Sequence, residues 1–151
     1  MFPGRKASTF RPGLISTSLA MEVPALLIYA EDFPERTFRD WLEAHITFAL
    51  PPHRYAGTLA VTDHGLQFAG FDTVEKKEVV QLIPKDRIEE VYHGYDAVYS
   101  VWQVRSMGLF WAPVRLTFST ATGTSTVYLI TGYDRLGTTN REFYRFLITW
   151  L

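Results

Sequence analysis

The feature that most constrains the fold is a change of hydrophobic period near residue 54. From Tyr55 onward, apolar and polar residues alternate with a period of two, in short runs separated by turns such as Asp63-His64-Gly65. This alternation is typical of strands that bury one face. It predicts a mainly β protein with seven short strands, at residues 55–62, 66–71, 78–83, 87–92, 97–105, 114–118 and 124–131.

Two other segments carry helical spacing. After Asp32, a predicted N-cap, residues 36–49 place apolar side chains every three or four positions, and Pro51 and Pro52 end this helix. At the C-terminus, Thr139-Asn140-Arg141-Glu142 fits a capping box that precedes a second helix. The two apolar stripes consist of Phe38, Trp41, Leu42, His45, Ile46 and Ala49, and of Phe143, Phe146, Leu147 and Trp150.

The 151 residues are enough for one domain and leave little room for two. We expect residues 1–24 to form a flexible N-terminal tail, since the first twenty residues contain no Asp or Glu and no sustained apolar run. Their composition also fits a transit peptide, or an upstream extension of a chain whose translation begins at Met21. Residues 25–151 are expected to form a single domain, with residues 25–50 as an N-terminal extension and residues 54–151 as a barrel plus a C-terminal helix.

The longest apolar stretch near the start covers residues 23–30 and contains Pro24. Within it, residues 25–29 are either a strand or a packed extended arm. A helix that spans a membrane needs about twenty apolar residues. The sequence therefore predicts no spanning helix, and we expect a cytoplasmic protein.

Charge and cysteine content exclude several function classes. The chain has fifteen Lys and Arg residues and sixteen Asp and Glu residues, so it lacks the excess of basic residues that is typical of a nucleic-acid-binding domain. The absence of cysteine excludes disulfides, thiolate zinc sites and thiol nucleophiles. The sequence also contains no glycine-rich phosphate-binding motif and no metal-binding histidine spacing. We expect no nucleic-acid partner, no metal and no cofactor.

Several hydrophobic patterns of the predicted sheet follow one another in a definite order. Gly57-Thr58-Leu59-Ala60-Val61-Thr62 is followed by Gly65-Leu66-Gln67-Phe68 and then by Leu82-Ile83-Pro84, with Ile88 and Val91 beyond. This order, with Trp150 in the closing helix, resembles the pleckstrin-homology-like (PH-like) superfamily over residues 54–151. Its GRAM and bacterial PH-type branches are the most similar. The resemblance implies a seven-stranded antiparallel open barrel, capped at one end by residues 139–151.

The resemblance also implies binding of phosphoinositide headgroups by Lys and Arg around the first strand and the loop after it. Several cations must converge on the phosphates for such binding. Here the corresponding turn is Thr62-Asp63-His64-Gly65, and Arg54 alone precedes the strand. Since the chain departs from the family pattern at this turn, a peripheral membrane lipid-binding module is an alternative hypothesis and not the leading one.

A second grouping, His93-Gly94-Tyr95-Asp96, places an imidazole close in sequence to a carboxylate that would orient it. His93 and Asp96 are therefore the candidate ligand-binding residues, although a turn at the end of a strand explains them equally well. No serine-nucleophile motif accompanies them. We predict no catalytic residue, and a small-ligand carrier or an enzyme is a further alternative.

The segment at residues 105–113 is apolar although it joins two predicted strands, where connections are usually polar. Three interpretations are open: it packs over the barrel, it contacts a second copy or another protein, or it dips into a membrane interface. Its candidate contact residues are Arg105, Met107, Leu109, Phe110 and Trp111. The leading hypothesis is a non-enzymatic interaction module that binds a protein partner or itself.

Overall fold

The computed structural model describes residues 19–35, 51–100, 112–134 and 137–151. These residues form a seven-stranded sheet, one α-helix and two short 3-10 helices. The strands are β1 (Leu19–Tyr29), β2 (Tyr55–Thr62), β3 (Gly65–Asp72), β4 (Lys77–Pro84), β5 (Ile88–His93), β6 (Val114–Thr120) and β7 (Gly123–Thr131). The α-helix is α1 (Asn140–Trp150), and the 3-10 helices are Ala30–Glu35 and Lys85–Arg87.

The first strand of the chain lies in the middle of the sheet. The strand order is β4-β3-β2-β1-β7-β6-β5, and every neighbouring pair is antiparallel. Leu26, for example, lies opposite Ala56 of β2 on one side and opposite Ile130 of β7 on the other. The sheet therefore consists of two three-stranded meanders that β1 joins, and its two edges are β4 and β5.

Six predicted strands are found as β2 to β7, each displaced by at most a few residues at its ends. The seventh strand of the observed sheet is β1. Residues 19–24, which were expected in a flexible tail, belong to this strand. Their main chain pairs with β2, and Met21 and Val23 pack against the core.

Two further predictions concern the ends of the gaps in the described chain. Residues 97–99 form bends and Ser100 has no regular structure, so none of them starts a strand, while the rest of the predicted strand at 97–105 lies outside the described residues. The predicted helix at residues 36–49 also lies outside them. Asp32, its predicted N-cap, lies within the first 3-10 helix, where its Oδ2 accepts the backbone N–H of Tyr29 at 3.1 Å.

The main hydrophobic core lies between the concave face of the sheet and α1. Phe143 and Leu147 project from the helix into this core and are 2% and 0% exposed. The sheet supplies the other buried members: Ala25, Leu27, Leu59, Val61, Leu66, Phe68, Ile83, Val114, Leu116, Phe118, Val127 and Leu129. Since these residues alternate along their strands, the period of two in the sequence reports this single buried face.

A second, smaller core covers the convex face where β1 meets β7. Ile28, Tyr128 and Ile130 project outward there and are buried beneath Phe33 and Tyr99. The ring of Phe33 meets Tyr99 and Tyr128 edge-on, with centroids 5.4 and 5.6 Å apart. Because both faces are covered at this place, residues 127–130 are buried without alternation.

The helix α1 is attached to the sheet at both ends. Asn140, 1% exposed, accepts the backbone N–H of Thr131 at 2.6 Å and donates to the carbonyl of Ala112 at 2.8 Å. At the other end, the Trp150 indole donates to the carbonyl of Thr62 at 3.1 Å. The hydroxyl of Thr139, the predicted N-cap, caps no helix N–H. Its Oγ1 donates instead to the Thr131 hydroxyl.

The backbones of β2 and β3 approach each other closely where two glycines face each other. Gly57 of β2 lies directly opposite Gly70 of β3. A Cβ atom on Gly57 would overlap the carbonyl of Ala69, and one on Gly70 would overlap the carbonyl of Ala56. The close approach of the two backbones therefore requires residues without a side chain at this point.

Replacement of Leu147 by Ala tests the role of α1 in the core. Leu147 is fully buried, so Leu147→Ala is expected to lower the free energy of unfolding by about 2–5 kcal/mol through lost burial and a residual cavity. Urea denaturation measures this loss. Ile148→Ala is the matched control because Ile148 is the next residue and is 52% exposed. Equal destabilisation by both substitutions would contradict this packing.

Candidate functional site

The candidate residue His93 lies at the end of β5 and packs against the helix. Its ring is 5.7 Å from the ring of Tyr144, measured between centroids. Burial lowers the pKa of His93, which favours the neutral imidazole. These contacts place His93 between the sheet edge and α1.

The second candidate, Asp96, holds the loop after β5 against the convex face. Its Oδ1 accepts the backbone N–H groups of Val98 and Tyr99 at 2.9 and 2.8 Å. Its Oδ2 accepts Arg115 Nη1 at 2.9 Å and the Tyr128 hydroxyl at 2.7 Å. Burial opposes ionisation, but these donors outweigh it and hold the pKa of Asp96 below its usual value.

His93 and Asp96 therefore have separate partners and do not form an imidazole–carboxylate pair. Both oxygens of Asp96 are already engaged by Arg115, Tyr128 and the backbone. The geometry supports a structural role for Asp96 as the anchor of its loop. The other predicted contact residues, Arg105, Met107, Leu109, Phe110 and Trp111, lie outside the described residues.

Arg54, the basic residue that precedes β2, is also engaged within the protein. Its Nη1 is 3.0 Å from Asp32 Oδ1, and its Nη2 is 3.0 Å from Asp72 Oδ2. The hydrogen bond from Arg54 lowers the pKa of Asp72 from 3.8 to about 2, aided by the backbone N–H groups of Glu75 and Val74. Arg54 thus ties the first 3-10 helix to the end of β3, and its charge is neutralised there.

The pairing of Arg54 with Asp72 predicts a pH dependence of stability. The pKa of Asp72 is lower in the folded protein than in the unfolded chain, so its stabilisation is present above about pH 4 and is lost as the pH falls toward 2. Asp72→Asn is expected to cost about 2 kcal/mol at pH 7 and to flatten the acid limb of the stability curve.

Urea denaturation between pH 2 and pH 7 measures this dependence. Asp63→Asn is the control, since Asp63 lies exposed in the turn between β2 and β3. An acid limb of the Asp72→Asn variant as steep as that of the unaltered protein would refute the assignment.

An open cleft of about 820 Å³ lies between β5, the second 3-10 helix and the end of α1. Four carboxylates line it, with Lys85 and His64 as the basic side chains. The carboxylates belong to Asp63, Asp86, Glu89 and Glu90. Since like charges repel, this cleft disfavours a phosphorylated headgroup, although it includes the β2–β3 turn that the resemblance points to.

The edge strand β4 presents apolar side chains on a free edge. β3 pairs with it from Lys77 to Pro84, and no strand of the described residues pairs with its other side. Val80 and Leu82 project from the convex face and are 68% and 63% exposed. An edge of this kind presents unpaired backbone N–H and C=O groups to another strand.

The opposite edge, β5, is protected. Glu89 and Glu90 are exposed on it, and its pairing with β6 is irregular between Ile88 and Glu90. Charged side chains and bulges are the usual devices by which an edge avoids pairing with another chain. β4 has charged residues at its start, Lys77 and Glu78, but none over residues 79–83.

Val80 and Leu82 were not among the residues that the sequence analysis singled out. Their signal lies in the run Val79-Val80-Gln81-Leu82-Ile83, which has apolar residues at odd-numbered and at even-numbered positions, and therefore on both faces of a strand. Val79 and Ile83 face the core, so the intervening apolar residues must face outward. Such a run predicts contacts on both faces of a strand.

Comparisons of the chain with models of known families, with curated proteins and with solved structures gave no match. In the described part of the chain, no group of three or more His, Cys, Asp or Glu side chains is placed to hold a metal ion. No helix among the same residues is long and apolar enough to cross a membrane. The contacts of the edge strand and of the charged residues are therefore the basis for inferring function.

Proposed function

We propose that this protein is a non-enzymatic interaction module with a PH-like barrel, and that it binds a protein segment which adds as a strand to β4. The observation that carries the proposal is the free apolar edge of β4, where Val80 and Leu82 are 68% and 63% exposed. Addition of a strand satisfies the backbone groups of the edge, while the exposed side chains contribute selectivity.

The topology supports the PH-like part of the proposal. Two antiparallel meanders enclose a core that a single C-terminal helix covers from the concave side. The resemblance implies seven strands and a helix within residues 54–151; β2 to β7 and α1 lie in that range, whereas β1, from the expected N-terminal extension, supplies the seventh strand. In such a barrel the interior is a packed core, and partners bind to its outer surfaces.

The charges favour a protein partner over a lipid headgroup. Arg54 is paired with three carboxylates and Arg115 with two within the protein, so neither is available to converge on phosphates. Lys85 lies over the Trp150 ring, 4.7 Å from its centroid, beside the carboxylate-rich cleft. Headgroup binding needs several free cations at one place, and these side chains do not supply them.

The packing favours a protein partner over a small ligand. The concave face of the sheet is filled by Phe68, Leu116, Leu129 and the helix residues Phe143 and Leu147, all at most 2% exposed. A ligand carrier needs a concave pocket of a few hundred Å³ with convergent polar groups. On the core side of the sheet that space is occupied by side chains, and the cleft between β5 and α1 is open to solvent outside this core.

The test compares two lysine substitutions of exposed apolar residues. Leu82→Lys places a charge on the β4 edge, whereas Val74→Lys places the same charge in the turn before β4, where Val74 is 60% exposed. A protein captured by the unaltered chain is purified, and its affinity is measured for each variant. Leu82→Lys is expected to weaken binding by about tenfold or more, and Val74→Lys to leave it unchanged.

Hydrogen exchange of the purified complex identifies the surface. Protection of the β4 amides on complex formation supports the proposal. Equal affinity of both variants, or protection away from β4, would contradict it. Sedimentation with anionic vesicles at low salt, fading as salt rises, would instead indicate the lipid-binding alternative.

A further inference from the structure

The apolar run of β4 is symmetric about its central residue. Gln81 has Val80 and Leu82 on either side, both exposed on the convex face. Beyond them, Val79 and Ile83 both face the core. Reversing the direction of the strand therefore leaves its apolar and polar pattern unchanged, so that apolar positions meet apolar positions when two identical strands pair antiparallel.

A two-fold axis perpendicular to the sheet keeps the convex faces of two copies on the same side. When the axis passes through Gln81, Val80 of one copy lies opposite Leu82 of the other. On the concave side, Val79 then lies opposite Ile83 of the other copy. Apolar cross-strand pairs stabilise antiparallel strands, and here the symmetry produces each pair twice.

The neighbouring registers are less favourable. A shift of two residues in one direction sets Glu78 opposite the exposed Leu82 of the other copy. A shift in the other direction sets Val79 opposite Lys85, which already belongs to the 3-10 helix, so Val79 loses its apolar partner on the strand. Shifts by one residue are excluded, because they would place core-facing residues opposite outward-facing ones.

We propose that β4 pairs with β4 of a second copy of this chain, antiparallel and centred on Gln81, so that the two sheets become one. This inference rests on the proposed function and names the partner as a second copy. The free edge supplies the backbone groups, and the symmetric run supplies the register. The protected edge β5 explains why the pairing uses β4 and not the other side of the sheet.

The side chains near the centre and ends of β4 are already held in place. Gln81 Oε1 accepts the Tyr29 hydroxyl on the concave side at 2.5 Å, which fixes the strand at its centre. At its ends, Lys77 lies 2.6 Å from Glu75 Oε2, and Lys85 stacks on Trp150. The edge is therefore ordered before a second strand arrives, which lowers the entropy cost of pairing.

The first test is the solution mass of the unaltered protein as a function of concentration, by sedimentation velocity. A shift from monomer to dimer with rising concentration is expected. Val80→Lys should lower the association constant by about tenfold or more, because the charge enters the interface twice. Val74→Lys carries the same charge outside the strand and should leave the constant unchanged.

The second test identifies the register by disulfide trapping. The chain has no cysteine, so each substituted residue is the only thiol. Residues directly opposite in an antiparallel pair have Cα atoms about 4.5–5.5 Å apart, which suits a disulfide. An equimolar mixture of Val80→Cys and size-tagged Leu82→Cys should oxidise mainly to the mixed dimer.

The outcomes separate this inference from the proposed function. A protein that remains monomeric at all concentrations, or a dimer that survives Val80→Lys, would overturn the pairing. Disulfides formed mainly between identical positions would overturn the register and with it the inference. If the protein is monomeric but a captured partner still requires Leu82, the proposed function stands and the second copy is excluded.

Discussion

The sheet depends on backbone pairing of β1 on both of its sides. Without β1, β2–β4 and β5–β7 would be two separate three-stranded meanders. Pairing β1 with β7 joins parts of the chain about a hundred residues apart, and the entropy cost of closing that loop grows slowly with its length. Burial on both faces offsets this cost: Leu27 points into the main core at 1% exposed, and Ile28 points into the smaller core at 3%.

Local alternation predicted the strands that bury one face, because in such a strand every second residue faces the core and is apolar. β1 was harder to predict, since residues 25–29 are apolar without a period and Pro24 stands before them. That loss of period is itself the result of burial on both faces, which depends on strands and loops far away in sequence. At residues 97–100, Val98 and Tyr99 suit a strand, but the Asp96 carboxylate captures their N–H groups and turns the chain.

The candidate site was less predictable than the fold because its contacts are non-local. The sequence identified Arg54 as the basic residue before the first predicted strand, but Asp32 and Asp72, which neutralise it, lie about twenty residues away on either side. In the same way, Asp96 is close to His93 in sequence, yet its partners Arg115 and Tyr128 come from β6 and β7. Whether a strand lies at an edge is also undetermined until the order of all the strands is known.

The order of the described strands explains why β4 lies at an edge. β4 and β5 follow one another in the chain, but the 3-10 helix Lys85–Arg87 lies between them, and the sheet order leaves them at opposite edges. Water forms hydrogen bonds with the backbone groups of such an edge, but it does not remove the apolar surface of Val80 and Leu82 from solvent. A paired strand does both at once. Because the run around Gln81 reads the same in either direction, the chain already carries a strand that meets both requirements.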